Sequence, residues 1–315
     1  MRADRGQTSR LPLPPPGVSV AVVGGATLDV IARPTEILHP HRSTPGRVRL
    51  SPGGAGRNVA VNLARLGVPV RLIAGVPDDP GGRWLTAQTA RSGVDVSGVT
   101  PIGDRGNYYV ALVNQQDVLW AVSDLSAAEA LAPSAVDVRA ESIRGATLVV
   151  VDANLLPQTI QRVVELAAGK RICMLATSPA KANRLREVRQ AASLLVVSTD
   201  EAETLVGRSV AGRDEALRAG RQLRNTYGTT VIITMGIDGL GWVADEELWV
   251  PAQATTVIDP TGAGDAVAAI AIYSLLCALD AHTAAELALA AGAMTVGVEG
   301  ATHPELSLAA LQAHG

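Results

Sequence analysis

The chain has 315 residues, of which 47% are hydrophobic and 18% are charged, and its formal net charge is −3. This length and apolar fraction are sufficient for one large domain with a substantial core. The weak net charge and the lack of a Lys/Arg-rich block argue against a nucleic-acid partner. No apolar run reaches the roughly 20 residues that a membrane span requires. We therefore expect a cytoplasmic globular protein without nucleic-acid or membrane partners.

The N-terminal part predicts a tail followed by a buried strand. Residues 1–17 are polar and then Pro-rich, which predicts a disordered tail before a domain over 18–315. The β-branched run Ser19–Val23 ends in two glycines and predicts the first strand. Asp29 follows the end of this strand, where open α/β sheets place ligand-binding groups; a turn or cap aspartate is the alternative. Val30–Pro34 continues with β-type residues, which excludes a dinucleotide-binding start and with it a nicotinamide-dependent oxidoreductase.

A glycine-rich loop, Pro52-Gly-Gly-Ala-Gly-Arg-Asn58, precedes a helical run over Val59–Leu66. Such a loop allows a ligand to approach the backbone closely. Asn58 would open the helix, where its amide either caps the helix or bonds a substrate hydroxyl. The loop lacks the Lys-Ser/Thr pair of a Walker A site, so it is not a P-loop.

Three further short runs predict strands outside the main sheet. They are Val48–Leu50, Tyr108–Val113 and Val118–Val122, and the last two would form a hairpin through Asn114–Asp117. Together with Val30–Pro34 they predict a small β layer over a cleft, drawn from about 30–50 and 107–123.

From Thr147 onwards predicted strands and helices alternate, which indicates a mostly parallel sheet with helices on both faces. The main predicted strands are Leu148–Val151, Arg171–Ala176, Leu194–Val197 and Thr230–Met235, followed by the short strands Leu240–Ala244 and Leu248–Val250. The predicted helices are Pro157–Ala168, Ala180–Ala192, one that starts over 198–203, Asp214–Tyr227, Thr283–Val298 and Ser307–Ala313.

The stretch Asp259-Pro-Thr-Gly-Ala-Gly-Asp265 carries the clearest chemistry. A strand-like run, Ala254–Ile258, precedes it, and an apolar helical run, Ala263–Leu279, follows it. Glycines at such a junction leave the first N–H groups of the helix free, and these groups favour a bound anion. Asp265 beside an anion site is suited to take a proton from a hydroxyl that attacks the anion, which is phosphoryl transfer. An ordinary helix start with a glycine turn is the alternative.

Four segments together resemble the PfkB (ribokinase-like) family of carbohydrate and nucleoside kinases: Gly25–Asp29, Pro52–Asn58, Met235–Gly239 and Asp259–Asp265. The resemblance extends over about Val18–Pro304. It implies an α/β, Rossmann-like domain with a small β-sheet lid that closes over the sugar, and it implies ATP and Mg²⁺ as cofactors. Within the family, the segments that resemble the pseudouridine kinases are Ser43–Gly46, Pro52–Asn58, Asp152–Asn154, Glu201–Leu205 and Glu299–Ser307.

The resemblance also implies a role for each matching position. Catalysis would rest on Asp265 with Gly262, Ala263 and Gly264; substrate binding on Asp29, Gly53, Gly54, Asn58, Asn154 and Lys181; ATP binding on Ser198, Thr234, Gly236 and Gly239; Mg²⁺ binding through water on Glu201; and binding of a monovalent cation such as K⁺ on Asp259 and Thr261. A solvated helix lysine is the alternative for Lys181.

The sequence departs from the family pattern at two places. Ser198 stands where the family has Asn, and Leu175-Ala-Thr-Ser178 stands where a strand usually ends in Asp-Pro. We predict a kinase for the 5′-hydroxyl of a nucleoside, with pseudouridine as the first candidate. Another sugar or nucleoside kinase, for ribose or adenosine, and a non-catalytic ligand-binding homologue are the alternatives. By the same analogy, the lid layer would be a natural homodimer contact.

Overall fold

The computed structural model describes residues 10–114, 117–189 and 191–314. Residues 1–9 of the predicted tail and the predicted hairpin turn at 115–116 therefore lie outside the described residues. The strands are β1 Val20–Val23, β2 Thr27–Pro34, β3 Gly46–Gly53, β4 Val70–Ile73, β5 Gly75–Val76, β6 Thr100–Pro101, β7 Tyr108–Asn114, β8 Asp117–Asp124, β9 Leu148–Asp152, β10 Arg171–Leu175, β11 Leu194–Ser198, β12 Thr230–Thr234, β13 Leu240–Val243 and β14 Glu247–Val250.

The α-helices alternate with these strands in the C-terminal half of the chain. They are α1 Ala55–Arg65, α2 Pro80–Arg91, α3 Ser126–Glu129, α4 Pro133–Asp137, α5 Ala140–Gly145, α6 Pro157–Leu166, α7 Pro179–Ala182, α8 Thr199–Val206, α9 Gly212–Tyr227, α10 Ala263–Cys277, α11 Ala281–Val296 and α12 Leu308–His314. Short 3₁₀ helices follow at Asn183–Val188 and Gly236–Asp238.

A central sheet with the strand order β14-β13-β12-β11-β10-β9-β1-β4 forms the middle layer. The strands from β4 to β12 pair in parallel, and β13 and β14 add an antiparallel edge. Alternate side chains of β1 reach opposite layers, because Val20 and Val22 pack with α1, α10 and α11 while Ala21 and Val23 pack with α6, α8 and α9. This confirms the predicted fold class.

A second sheet, with the order β3-β2-β7-β8, forms the lid sheet. Strand β2 pairs antiparallel with β3 and parallel with β7, and β7 continues into the antiparallel β8. On the face of the lid sheet that is turned inwards, Ile31, Ala111 and Val113 form a small buried cluster. The predicted small β layer is confirmed, and its first strand begins at Thr27, so it also contains Asp29.

The structure corrects two predicted elements. Ala254–Ile258 is not a strand: β14 ends the sheet on this side, and the mostly exposed run passes instead to α11, where the Ile258 N–H bonds to the Val296 carbonyl. The predicted helix Ala180–Ala192 is broken into α7 and a 3₁₀ helix, because Arg184 ties this segment to the backbone carbonyls after β9.

The segment between β8 and β9 contains α3, α4 and α5, for which the sequence analysis made no prediction. These helices have four, five and six residues. Helices of this length complete fewer than two turns, so a 3.6-residue hydrophobic period cannot be read from them.

The described part of the N-terminal segment, 10–17, is held against the domain. It contains no helix or strand, but the Tyr273 hydroxyl donates a hydrogen bond to the Pro12 carbonyl, and Leu11 packs on the core. Residues 10–17 thus contact the domain through Leu11 and Pro12, and the disordered tail stays a prediction. Among the described residues, the helices are all too short or too polar to cross a membrane. The cytoplasmic location and the absence of a nucleic-acid partner stay predictions.

Candidate active site

The carboxyl ends of β9, β10, β11 and β12 open into a cavity of about 330 Å³ that lies between the central sheet and the lid sheet. Most of the predicted site residues line this cavity, which we call the substrate cavity. They are Asp29, Gly54, Asn58, Asn154, Lys181, Ser198, Glu201, Thr234, Thr261, Gly262, Gly264 and Asp265. The carboxyl ends of parallel strands meet at one edge of a sheet, which is why residues far apart in sequence converge here.

A second cavity, of about 560 Å³, lies on the other side of the start of α10. Gly236, Gly239 and Ala263 line it together with apolar side chains such as Val257 and Val267. Thr234 and Gly264 line both cavities, so the two spaces meet at the first turn of α10. We call the cavity of about 560 Å³ the second cavity. Gly53 and Asp259 are the predicted site residues that line neither space.

The N-terminus of α10 is shaped by Gly262. This N-cap residue has a left-handed φ of 82°, and a Cβ at its position would lie 2.0 Å from the carbonyl oxygen of Ala301. Helical hydrogen bonding begins with Ala266 N–H to Gly262 O, which leaves the first three N–H groups of the helix without a helical acceptor. These N–H groups and the helix dipole favour a bound anion at the junction of the two cavities.

Asp265 lies in the first turn of α10, where its Oδ2 atom accepts a 2.8 Å hydrogen bond from Nδ2 of Asn58. Sequence reasoning placed Asn58 at a helix start, where its amide would either cap the helix or bond a substrate hydroxyl. The helix α1 begins at Ala55 instead, so the Asn58 amide does not cap α1 and crosses to α10. The two helices pack against each other, which brings residues 207 positions apart into contact.

The pKa of Asp265 is raised to about 7, chiefly by burial. The hydrogen bond from Asn58 lowers it, whereas the nearby carboxylates of Asp152, Glu201 and Asp29 raise it further. A carboxylate whose pKa lies near neutral pH is well suited to accept a proton in a reaction.

Asp29 lies within β2 of the lid sheet and not after the end of β1, as the sequence had suggested. Its Oδ1 atom accepts a 2.8 Å hydrogen bond from the Thr27 hydroxyl, and burial raises its pKa to about 6. Gly53 lies opposite Thr27 on β3, where a Cβ would come within 2.1 Å of Asp29 Oδ2. Gly53 therefore leaves room for the carboxylate, and Gly54, with a φ of 95°, turns the chain into α1.

A buried polar group at the end of β9 lies behind the wall of the substrate cavity that Asn154 and Lys181 form. Asp152 is fully buried and accepts hydrogen bonds of 2.8 Å from the N–H groups of both Gly25 and Gly56, which fixes the two glycine-rich loops relative to each other. Asn154 Nδ2 also donates to Asp152, and Lys181 Nζ donates to Asn154 Oδ1 at 2.9 Å. Lys181 thus lines the substrate cavity, and burial lowers its pKa.

Thr177 lies beside Lys181 in a strained turn at the end of β10. Its φ is 64°, and the Ser178 N–H bonds to the Ala176 carbonyl at 2.8 Å, which defines a classic γ-turn. A β-branched residue rarely adopts this conformation, and such strain concentrates at functional sites. The Thr177 hydroxyl is buried and finds no hydrogen-bond partner among the described residues, while the residue lines the substrate cavity.

Ser198 and Glu201 form a capping box at the start of α8. The Glu201 N–H donates to the Ser198 hydroxyl, and the Ser198 N–H donates to Glu201 Oε2 at 2.8 Å, which aims the carboxylate at the cavity. No three His, Cys, Asp or Glu side chains in the described part of the chain cluster to hold a metal directly. This arrangement fits Mg²⁺, which keeps several waters and binds through one or two carboxylates plus phosphate oxygens.

The Asp259 carboxylate is already paired. Its Oδ1 atom accepts from the Thr261 N–H at 3.0 Å, and its Oδ2 atom accepts from the Gly300 N–H at 3.1 Å and from Arg49 Nη2 at 3.2 Å. The same guanidinium contacts Glu299. A second cation on this carboxylate would face the charge of Arg49, so the side chain does not fit as a K⁺ ligand in this arrangement. The monovalent-cation site stays a prediction.

Sequence reasoning missed several residues of the site. Thr27 and Thr177 line the substrate cavity, and Arg57 contacts Asn58 beside it. No role was predicted for these three residues, although Thr27 and Arg57 lie within segments that resemble the kinase family. Arg49 lies in the lid sheet, 210 residues from the acid it pairs with. The departure at 175–178 was the signal that could have drawn attention to Thr177.

Comparison with known proteins agrees with this geometry. The model of the pfkB family carbohydrate kinases matches residues 18–308. The chain belongs to this family. It is 29% identical to a pseudouridine kinase of Escherichia coli (strain K12) over 294 residues, which covers 92% of this chain and 94% of the relative.

Two further proteins are similar to this pfkB kinase over most of their length. A guanosine-inosine kinase of Exiguobacterium acetylicum is 26% identical over 301 residues, with 93% of this chain and 99% of the relative covered. A putative ribokinase II from E. coli, solved in complex with ATP and Mg²⁺, superposes with a TM-score of 0.80 at 23% identity and covers 94% of this chain and 98% of the other. The chain is accordingly a phosphotransferase with an alcohol group as acceptor.

Proposed function

We propose that this kinase transfers the γ-phosphoryl group of ATP to the 5′-hydroxyl of a nucleoside, and that the nucleoside is pseudouridine. The observation that carries the proposal is the meeting of the two cavities at Gly264, next to the buried carboxylate of Asp265. One cavity would hold the nucleoside, the other the adenine end of ATP, and the phosphates would cross the helix start between them.

The reaction is a single displacement with Asp265 as general base. The 5′ oxygen forms a bond to the γ-phosphorus while the bond from the γ-phosphorus to the β–γ bridging oxygen breaks and ADP leaves. The proton of the hydroxyl passes to Asp265. The N–H groups of Gly262, Ala263 and Gly264 hold the transferred group, and such fixed donors supply much of the acceleration in phosphoryl transfer.

ATP would contact the ends of β11 and β12 through Ser198 and Thr234 and the turn that contains Gly236 and Gly239. Thr234 and both glycines line the second cavity, whereas Ser198 lines the substrate cavity next to Glu201. Glu201 would hold Mg²⁺ through water, and the ion would neutralise phosphate charge. Ser198 in place of Asn retains a hydroxyl that can bond water or phosphate.

The ribose would lie under the lid sheet. Asp29 accepts hydrogen bonds from ribose hydroxyls, and the backbone of Gly54 lines the cavity beside Asn58. Asn58 lies near the 5′ end of the ribose, where its amide bonds to Asp265. Gly53 acts indirectly, since it keeps the space in which the Asp29 carboxylate lies.

The wall made by Asn154, Thr177 and Lys181 favours a base that carries carbonyl groups. The Lys181 ammonium donates hydrogen bonds but accepts none, and in the described residues it has no carboxylate within ion-pair distance. The uracil ring of pseudouridine presents two carbonyl oxygens, whereas the exocyclic amino groups of adenosine and cytidine are donors. The E. coli relative named pseudouridine kinase supports the same choice, and the guanosine-inosine kinase favours an oxo-purine as second candidate.

The test is ADP release from ATP and Mg²⁺ with pseudouridine, uridine, inosine, adenosine, cytidine and ribose in parallel, with Asp265→Asn as control. We expect turnover with pseudouridine and its loss in the control. Turnover with another member of the panel alone would retain the kinase and reject pseudouridine. Tight binding of one compound without any turnover would favour the non-catalytic homologue.

Glu201→Gln is expected to raise the Mg²⁺ concentration for half-maximal activity by about tenfold or more, because the variant loses the charge that positions the metal waters. Gln still completes the capping box, so the unfolding temperature should stay near that of the wild type. A Mg²⁺ titration of initial rates measures the effect. Asp200→Asn, in the same helical turn but exposed, is the matched control. An equal shift in both variants would contradict the role of Glu201.

We also propose that the outer face of the lid sheet contacts a second copy of the chain. Cross-strand partners on this face are apolar: Leu50, Val30, Val110 and Val122 form one row, and Val48, Ala32, Leu112 and Trp120 form another. Trp120 is 77% exposed and Val122 is 70% exposed. Exposed apolar patches of this kind mark interaction sites, and two rows without charged side chains suit a symmetric contact between two copies. Sedimentation should show a dimer that Trp120→Glu converts to a monomer; a monomeric wild type would refute the contact.

A further inference from the structure

Arg57 is a buried cation between the glycine-rich loop and Asp265 that no motif assigns to the reaction. It is 3% exposed and lies in the first turn of α1. Its Nη1 atom donates to the Pro52 carbonyl and to Asn58 Oδ1, each at 3.1 Å, and its Nε atom donates to the Thr89 hydroxyl of α2 at 3.3 Å. The guanidinium thus joins three segments around the substrate cavity.

These contacts decide which way the Asn58 amide points. Because Oδ1 faces the guanidinium, Nδ2 faces the Asp265 carboxylate, where it donates at 2.8 Å. The reversed amide would place a carbonyl oxygen against the carboxylate and an NH₂ group against Arg57, so both contacts would be repulsive. In the described part of the chain, no donor contacts the other carboxylate oxygen, Oδ1, which leaves that oxygen for the substrate hydroxyl.

Burying the Arg57 cation costs free energy, and the packing of this position does not explain why the residue is a cation. Burial lowers the pKa of Arg57 to about 10, while the charges of Asp29 and Asp265 oppose this, so the side chain stays protonated at neutral pH. An apolar side chain of similar size often packs as well or better at such a position. A buried arginine that touches a catalytic neighbour therefore indicates a role in the reaction.

We infer that Arg57 is a positioning residue for phosphoryl transfer: it locks the Asn58 amide so that Asp265 presents one free carboxylate oxygen to the attacking hydroxyl. The inference rests on the proposed role of Asp265 as general base. Arg57 itself lines neither the substrate cavity nor the second cavity, so we assign it no direct contact with the nucleoside or the phosphates.

The first experiment compares Arg57→Met with Arg57→Lys. The Met variant is expected to lower kcat by about 10–100-fold, since small misplacements of a catalytic group have effects of this size, and to leave the KM for ATP within about twofold. The Lys variant retains the charge but not the fork of donors, so its kcat should be intermediate. If the Met variant does not fold, the Lys variant decides: a kcat equal to that of the wild type would refute the inference.

The pH dependence of kcat separates positioning from general loosening. Asp265 is faced by Asp29 from β2, Arg57 from α1, Asp152 from β9 and Glu201 from α8. Removing the cation from this group raises the pKa of the carboxylate, so the acid limb of the profile should move to higher pH in Arg57→Met and stay in place in Arg57→Lys. A lower kcat with an unmoved limb in Arg57→Met would indicate a merely structural role.

A double-mutant cycle with Asn58→Ala tests whether Arg57 acts through Asn58. We expect Arg57→Met to lower kcat much less in the Asn58→Ala background than in the wild type. Equal factors in both backgrounds would refute the coupling. Asp265→Asn is measured alongside, because near-wild-type turnover of that variant would reject the proposed function, whereas an inactive Asp265→Asn with a fully active Arg57→Met would reject only this inference.

Discussion

Asp265→Asn is expected to lower kcat by about 10²–10⁴-fold, because the amide cannot take the proton of the attacking hydroxyl. The variant keeps the size of the side chain and an oxygen that can accept the hydrogen bond from Asn58, so the site should keep its shape. ATP and the nucleoside should therefore still bind. Steady-state kinetics and calorimetric titration of each ligand measure the two effects separately.

The sign of the pH dependence follows from the same carboxylate. Its pKa is raised to about 7, and only the deprotonated form accepts a proton, so wild-type kcat should fall as the pH drops below this value. Asp280→Asn, which changes the exposed N-cap of α11, is the matched control and should retain activity. A kcat of Asp265→Asn within tenfold of the wild type would show that another group accepts the proton.

Gly262→Ala is expected to abolish most activity and to destabilise the fold. The left-handed φ of 82° is strained for alanine, and the new Cβ would lie 2.0 Å from the backbone oxygen of Ala301, which cannot move aside as a side chain could. The backbone conformation alone should cost roughly 1–3 kcal/mol, which lowers the unfolding temperature by several degrees. The displaced helix start would then no longer hold its N–H groups at the junction of the cavities.

Gly264→Ala is the informative comparison for this variant. Apart from its chain neighbours and the backbone of its own helix, no atom lies within 4 Å of a Cβ at Gly264. The residue is helical, so alanine should leave stability unchanged or slightly raised. Because Gly264 lines both cavities, the methyl group should still weaken ATP use. Thermal melts and the KM for ATP separate the two variants. Equal unfolding temperatures for Gly262→Ala and the wild type would contradict the packing argument.

The site residues form two groups: those whose contacts are close in sequence and those whose contacts are distant in sequence. The helix start at 262–264 and the capping box of Ser198 and Glu201 form hydrogen bonds between residues at most four positions apart, so their sequence pattern carries the information. The Asn58 contact to Asp265 spans 207 residues, and the Arg49 contact to Asp259 spans 210. Nothing in the local pattern indicates such partners, because they depend on how α1 packs on α10 and how the lid sheet lies over the domain.

The sequence by itself determined the fold class, the lid strands and the position of the phosphoryl-transfer motif. Each buried strand and each helix shows its own hydrophobic pattern, which can be read from neighbouring residues. Gly262 can also be read locally, because its left-handed backbone conformation favours glycine. The tertiary structure decided that Ala254–Ile258 is not a strand, that Asp29 belongs to the lid sheet, and that Asp259 pairs with Arg49. Each of these depends on which segments meet in space, and the free energy of those contacts exceeds the weak local preference of the residues involved.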